Sequence, residues 1–237
     1  MRLPIAVSTS FDVISQTRMC PVLNRQDSRD ARKINSGKFA LWLSLTLGLW
    51  LTTASAQPLR DGDIIFQSSP SSQSRAVELA TRSPYSHMGM VFLLHGRTYV
   101  YEAAERVKFT PLDQWVARGV QGRYVIMRLR DADRLLSPSA QRRLLAVARQ
   151  YEGRPYDLYF EWSDRRIYCS ELVWKIYRRA LGLAVGQTQR LREFDLTPPA
   201  VRHKLRERYG DRVPLDEVVI SPAAVYASPL LVKILEK

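Results

Sequence analysis

Three side chains far apart in the sequence, Cys169, His87 and Glu102, have the types needed for nucleophilic chemistry: a thiol, an imidazole and a carboxylate. Cys169 stands at the start of a predicted helix, where unpaired N–H groups and the helix dipole favour a thiolate. The other two lie on a predicted β-hairpin whose register follows from its turn. If His95-Gly96 is a two-residue turn, Leu94 faces Arg97, Leu93 faces Thr98, and Gly89 falls opposite Glu102. Residues opposite one another share a sheet face, as do residues two apart along one strand. His87, Gly89 and Glu102 therefore point the same way, with the glycine leaving space between the imidazole and the carboxylate. A histidine oriented by a carboxylate is the second half of a nucleophilic triad, and the thiol supplies the first. The register is the vulnerable step, because a one-residue slip sends Glu102 to the opposite face.

The elements that must position these groups are short and well punctuated. Asp61-Gly62-Asp63 reads as a turn and Ile64 to Gln67 as an apolar strand, followed by a polar loop and a short helix over Ser74 to Thr81. Met88 to Leu94 and Arg97 to Ala103 are the hairpin strands, and Tyr124 to Leu129 is another strand. Ser137 is the N-cap of a helix with Pro138 at its first position, closed by Gly153 after Tyr151. In the helix opened by Cys169, Leu172, Val173, Ile176 and Ala180 share a face, Lys175, Arg178 and Arg179 are solvent-side, and Gly182 is the stop. Beyond Leu183 the pattern weakens to a basic stretch at Val201–Tyr209 and apolar segments at Val218–Ile220 and Leu230–Ile234. The pattern is that of one α+β domain without internal repeats.

The amino-terminal third is of another kind. Phe39 to Leu51 carries no charge, Lys38 precedes it, and Ala54-Ser55-Ala56 has the small-x-small form of a signal-peptidase site. The apolar run turns polar after thirteen residues, whereas a membrane span needs about 20. Residues 1–56 are therefore expected to be a secretory leader cleaved after Ala56, with an uncleaved anchor as the alternative. Thirty-eight residues before the apolar run exceed an ordinary basic flank and point to translation starting downstream, for example at Met19. The expected mature domain is 57–237, exported and periplasmic. Of the chain's 36 basic and 23 acidic residues, seven and three precede Gln57; 29 and 20 remain, a net charge of +9. Such a balance suits an acidic partner, an anionic membrane surface or a carboxylate-bearing polymer, and an exported protein has little nucleic acid to meet. Cys20 leaves with the leader, so Cys169 has no internal disulfide partner and is either deeply buried or kept for its chemistry.

Taken singly, each of the three residues has an ordinary explanation. A cysteine at a helix start is usually a small buried hydrophobe, His87 a capping or core histidine, and Glu102 a solvated strand residue. The hairpin register joins the last two, and the combination favours chemistry in an open groove. His95 sits in a turn, and His203 lies among Arg202, Lys204 and Arg206; both read as surface residues. Glu171, two after the thiol, suits the positive end of the helix. One cysteine and scattered histidines assemble no zinc site, and no cofactor is expected.

The segments GDIIFQ (62–67), YSHMGMV (85–91), YEAAERV (101–107), GRPYD (153–157) and YCSELVWKIY (168–177) together resemble the YiiX-like family of permuted papain-fold, NlpC-type cysteine hydrolases. The likeness is clear over roughly 60–184 and weaker over 215–231. It implies a circularly permuted papain-like α+β fold, an antiparallel sheet packed against helices with the nucleophile at a helix N-terminus. It also implies Cys169 as nucleophile, His87 as general base and Glu102 as the residue orienting it. The Cys169 amide is a natural oxyanion donor, with Tyr85 and Tyr156 as equal candidates to assist it. The implied activity is cleavage of an amide or ester through an acyl-enzyme, by hydrolysis or acyl transfer. Relatives of this type act on cell-wall peptides or on lipid acyl groups, and the permuted order tilts the expectation towards lipid. A non-catalytic wall- or lipid-binding module is the alternative, disfavoured because binding alone needs no thiolate.

Overall fold

The apolar runs become the central strands of a single six-stranded sheet. The structure is a computed structural model describing residues 57–237; the leader, with its expected cleavage after Ala56, lies outside the described residues. In chain order the elements are β1 (Ile64–Gln67), α1 (Ser72–Thr81), β2 (His87–Leu94), β3 (Arg97–Ala103), β4 (Val107–Pro111), α2 (Leu112–Ala117), β5 (Val125–Leu129) and α3 (Ala132–Leu135). There follow α4 (Pro138–Arg149), α5 (Cys169–Leu181), β6 (Gln189–Arg190), α6 (Pro199–Tyr209), β7 (Val218–Val219), α7 (Pro222–Tyr226) and β8 (Leu231–Glu236). The large sheet has the order β4-β3-β2-β1-β5-β8, and every adjacent pair is antiparallel.

Period-two alternation divides each strand between two unequal cores. Ile64, Phe66, Met88, Met90, Phe92 and Tyr101 face the larger core, where α4 and α5 contribute Leu144, Leu172, Val173 and Ile176. Ile65, Val91, Val100 and Ile126 face a smaller one, closed by Trp115 of α2. Leu172, Val173 and Ile176 are fully buried, and each contributes about 1.5–3 kcal/mol by leaving water. The start of β1 is tied to β5 by Arg128, whose Nε and Nη2 each donate to the buried Asp63 carboxylate at 2.7 Å.

The hairpin register matches the expectation. Leu94 pairs with Arg97, and Met90 with Tyr101. The turn has φ of 50° at His95 and 75° at Gly96, the doubly left-handed backbone of a two-residue primed turn. Gly89 is required by crowding, because a Cβ there would sit 2.4 Å from Val100 Cγ1 and 2.8 Å from the Tyr101 carbonyl oxygen.

Helix α4 starts at Pro138 under a Ser137 cap that accepts from the Ala140 N–H, and α5 stops at the left-handed Gly182. Two expectations are corrected. The basic stretch at Val201–Tyr209 is most of α6, and Lys175 is buried rather than solvent-side. Lys175 Nζ donates to the Ser163 carbonyl and the Asp164 carboxylate at 2.8 and 2.9 Å, and pairs with Glu171 at 2.7 Å. These partners satisfy its charge in the interior, which a helical-wheel reading of α5 alone does not reveal.

Candidate active site

Cys169, His87 and Glu102 meet where the ends of β2 and β3 approach the first turn of α5. His87 Nε2 lies 2.6 Å from Glu102 Oε2, in the diagonal relation that the register requires. With Nε2 engaged, Nδ1 is the nitrogen left to face Cys169, whose side chain acts on the imidazole by hydrogen bonding and by charge. Burial by itself would push the imidazole down. Hydrogen bonding and negative charge from Cys169 and Glu102 outweigh that and raise it from 6.5 to about 9. Burial would likewise raise the carboxylate, but His87, Thr110 and Arg118 together bring Glu102 from 4.5 to about 2.

Glu102 is the most heavily bonded group in the site. Besides His87, its Oε2 accepts from Trp115 Nε1 at 3.0 Å, and its Oε1 accepts from Thr110 Oγ1 at 2.6 Å and from Arg118 Nη2. The Trp115 ring also lies alongside the imidazole, with centroids 5.9 Å apart and planes 24° from parallel. Thr110, Trp115 and Arg118 all come from β4, α2 and the residue that follows. They fix the carboxylate, which in turn fixes the tautomer and direction of His87. None of the three was singled out in the sequence; only the threonine's place on a strand beside Glu102 would have pointed to it.

The first turn of α5 is left available to the site. Tyr168 at its N-cap provides no side-chain acceptor, and Glu171 stands at the third position of the helix. The N–H groups of the first turn have no intrahelical acceptor, so the Cys169 amide can donate to an oxyanion formed beside its own sulfur. Glu171 is fully buried rather than simply placed at a positive helix end. Burial raises its carboxyl to about 7 against the opposing effect of Lys175.

The two tyrosines separate. Tyr156 lines the same cavity as Cys169, whereas Tyr85 packs between Phe66 and Tyr226 and lines a different depression with Gln67 and Tyr124. The site is also less open than a groove. Cys169 is 4 % exposed and Glu102 is fully buried, and only the His87 side chain, 19 % exposed, reaches solvent appreciably. Cys169 lines an apolar cavity of about 90 Å³ whose walls include Val77, Ala80, Phe160, Leu191, Phe194 and Ile220. A second apolar cavity of about 70 Å³ shares Val77, Ala80, Phe160, Leu191 and Phe194 with it and continues beneath α6 to Lys204 and Arg208.

A helix-borne thiol, a strand-borne imidazole and an antiparallel sheet, in the order histidine first and cysteine last, describe a permuted papain-like arrangement. A family model described as permuted papain-like amidase enzymes, YaeF/YiiX, C92 family, matches residues 58–235. The chain belongs to this family. It is 52% identical over 170 residues to the uncharacterized protein YiiX of Escherichia coli strain K12, covering 72% of this chain and 83% of that one. A crystal structure described as the metalloprotein yiiX from Escherichia coli O157:H7 superposes with a TM-score of 0.73 at 50% identity, covering 75% of this chain and 97% of that one. The family assignment makes this permuted papain-like protein a cysteine hydrolase-like amidase in its general chemistry.

Proposed function

We propose that this permuted papain-like protein is an exported amidase that cleaves the acyl amide of a lipid-like substrate through an acyl-enzyme on Cys169. The observation that supports the substrate class is the pair of neighbouring apolar cavities, one of them lined by Cys169, that share the wall of Val77, Ala80, Phe160, Leu191 and Phe194. A peptide from the cell wall, rich in carboxylates and amides, would leave its polar groups unpaired against such walls. In the proposed reaction the Cys169 thiolate attacks the carbonyl carbon, and the developing oxyanion is held by the Cys169 amide, with Tyr156 beside it. The carbon–nitrogen bond then breaks as His87 gives its proton to the nitrogen, and the amine leaves. Water enters, loses a proton to His87 and attacks the thioester, releasing the acid and restoring the thiol.

Each methylene buried in an apolar pocket contributes about 0.8 kcal/mol, or roughly fourfold in kcat/KM, until the pocket is full. A series of N-acyl amides of increasing chain length is therefore expected to rise about fourfold per carbon and then reach a plateau. Ala80→Leu, on the wall shared by both cavities, should bring the plateau to a shorter chain. Flat dependence on chain length, with faster cleavage of wall-derived peptides, would assign the site to peptidoglycan instead.

The related yiiX structure is described as a metalloprotein. Cys169, His87 and Glu102 come together, but among the described residues of this chain no group of three or more histidine, cysteine, aspartate or glutamate side chains is arranged to hold a metal ion. The donor set does not fit a metal centre, and the proposed steps use none.

Export, with the mature chain beginning at Gln57, belongs to the same proposal and is supported by the apolar run and the Ala54-Ser55-Ala56 site. Among the described residues no helix is long and apolar enough to cross a membrane. N-terminal sequencing of the exported protein should read Gln57 first, and a start before Phe39 would show a retained anchor. The net charge of +9 after Ala56 favours contact with an anionic membrane surface, where a lipid-like substrate resides.

A further inference from the structure

The cavity lined by Cys169 is also lined by a serine that the proposed reaction does not use. Ser86 immediately precedes His87, is 8 % exposed, and lines this cavity beside Cys169. Its N–H donates to the Gln67 carbonyl at 3.1 Å, which fixes the backbone. Its Oγ lies 3.3 Å from Ser68 Oγ, and Ser68 Oγ in turn donates to Glu78 Oε1 on α1. Arg75 Nη1 stands 3.6 Å from the same glutamate.

The direction of this chain follows from counting protons. A carboxylate paired with arginine has acceptors only, and a serine hydroxyl has one proton. Ser68 directs its proton to Glu78, so the link between the serines must use the proton of Ser86. With its proton committed to Ser68, the Ser86 oxygen, on a residue lining the cavity, can only accept. A hydroxyl that can only accept recognises a donor, and the scissile bond of an amide carries one where an ester carries none. In an ester the leaving oxygen would set lone pair against lone pair.

We propose that Ser86, polarised through Ser68 by Glu78, is a specificity-determining residue that accepts the N–H of the scissile amide and so favours an amide over the ester of the same acyl group. This rests on the cysteine-amidase reading above and adds to it the choice of scissile bond.

The test compares an acyl p-nitroanilide with the p-nitrophenyl ester of the same acyl chain, and the readout is the ratio of the two kcat/KM values. Ser86→Ala is expected to lower the anilide-to-ester ratio about tenfold relative to the unaltered protein. Ser68→Ala, which frees the Ser86 proton to donate, should move the ratio in the same direction, and Ser86→Thr should restore most of it. A ratio that stays within twofold in both alanine variants overturns the proposal. So does an equal fall in both substrates, which would mark Ser86 as a structural group only. Failure of the unaltered protein to cleave either substrate would instead remove the cysteine-hydrolase reading, and that result is visible before any variant is compared.

Discussion

Cys169→Ala and His87→Ala are each expected to lower kcat by roughly 10³-fold or more, with the double variant little worse than either alone. The non-additivity follows from the geometry. The imidazole is bonded to Glu102 and is acted on by Cys169, so neither reacting group has a function without its partner. The pH profile of the unaltered protein reports the same pair. His87 is held at about 9, and it must be protonated to release the amine. Activity should therefore persist through neutral pH and fall as pH rises through about 9. Turnover of an acyl amide, with circular dichroism to verify folding, is the measurement. Full activity in a folded Cys169→Ala protein, or an alkaline limb centred near the ordinary histidine value of ~6.5, contradicts the assignment.

The second large effect falls on stability. Glu102→Gln looks conservative, and a carboxylate that merely oriented an imidazole would tolerate it. The structure argues otherwise, because each Glu102 oxygen accepts from two donors: His87 and Trp115 on one, Thr110 and Arg118 on the other. Turned one way, a glutamine NH₂ meets the Thr110 and Arg118 donors; turned the other, it meets the Trp115 N–H and holds His87 in the opposite tautomer, all in a fully buried position. Breaking a buried charged pair of this kind costs about 3–5 kcal/mol, which for a chain of this size lowers Tm on the order of 10 °C. Folding is thus not expected to be indifferent to this substitution, as it would be at an open groove. Calorimetry of Glu102→Gln against the parent decides the matter, and a Tm within a degree or two of the parent would contradict the buried network. The acid limb carries a related signature. Because Glu102 sits at about 2 in the fold against 4.5 in the open chain, its contribution is present above 4.5 and is lost as pH falls from there towards 2.

The parts of this site that could be read from the sequence are those set by local rules. His95-Gly96 forced a turn of two residues, the turn forced the register, and the register placed Glu102 beside His87. Helix α5 announced itself by its apolar face and by Gly182. What stayed hidden depends on contacts between distant segments. Thr110, Trp115 and Arg118 matter only because β4 and α2 fold back over the hairpin, and apart from the threonine's place on a strand nothing in their own neighbourhood marks them. Tyr85 and Tyr156 are alike as aromatic neighbours of motif residues, and only the path of the chain separates one from the other. Lys175 has the spacing of a surface residue, and its burial depends on Asp164, in the segment leading into α5. The cavities, too, are shaped by α1, α6 and the loops between, whose side chains are ordinary one by one.

The primed turn at His95-Gly96 has a bearing on how this chain tolerates change over evolutionary time. Exposed hairpin tips are usually where insertions and deletions accumulate, since a longer loop disturbs little else. Here Glu102 lies seven residues beyond His95 along β3, about 24 Å of extended chain, yet the length of the tip decides which face it occupies. A single added or lost residue at the tip would leave two well-formed strands and a disarmed histidine. Length variation among relatives should accordingly concentrate in other exposed connections, such as those flanking α6, while this remote turn keeps its two residues.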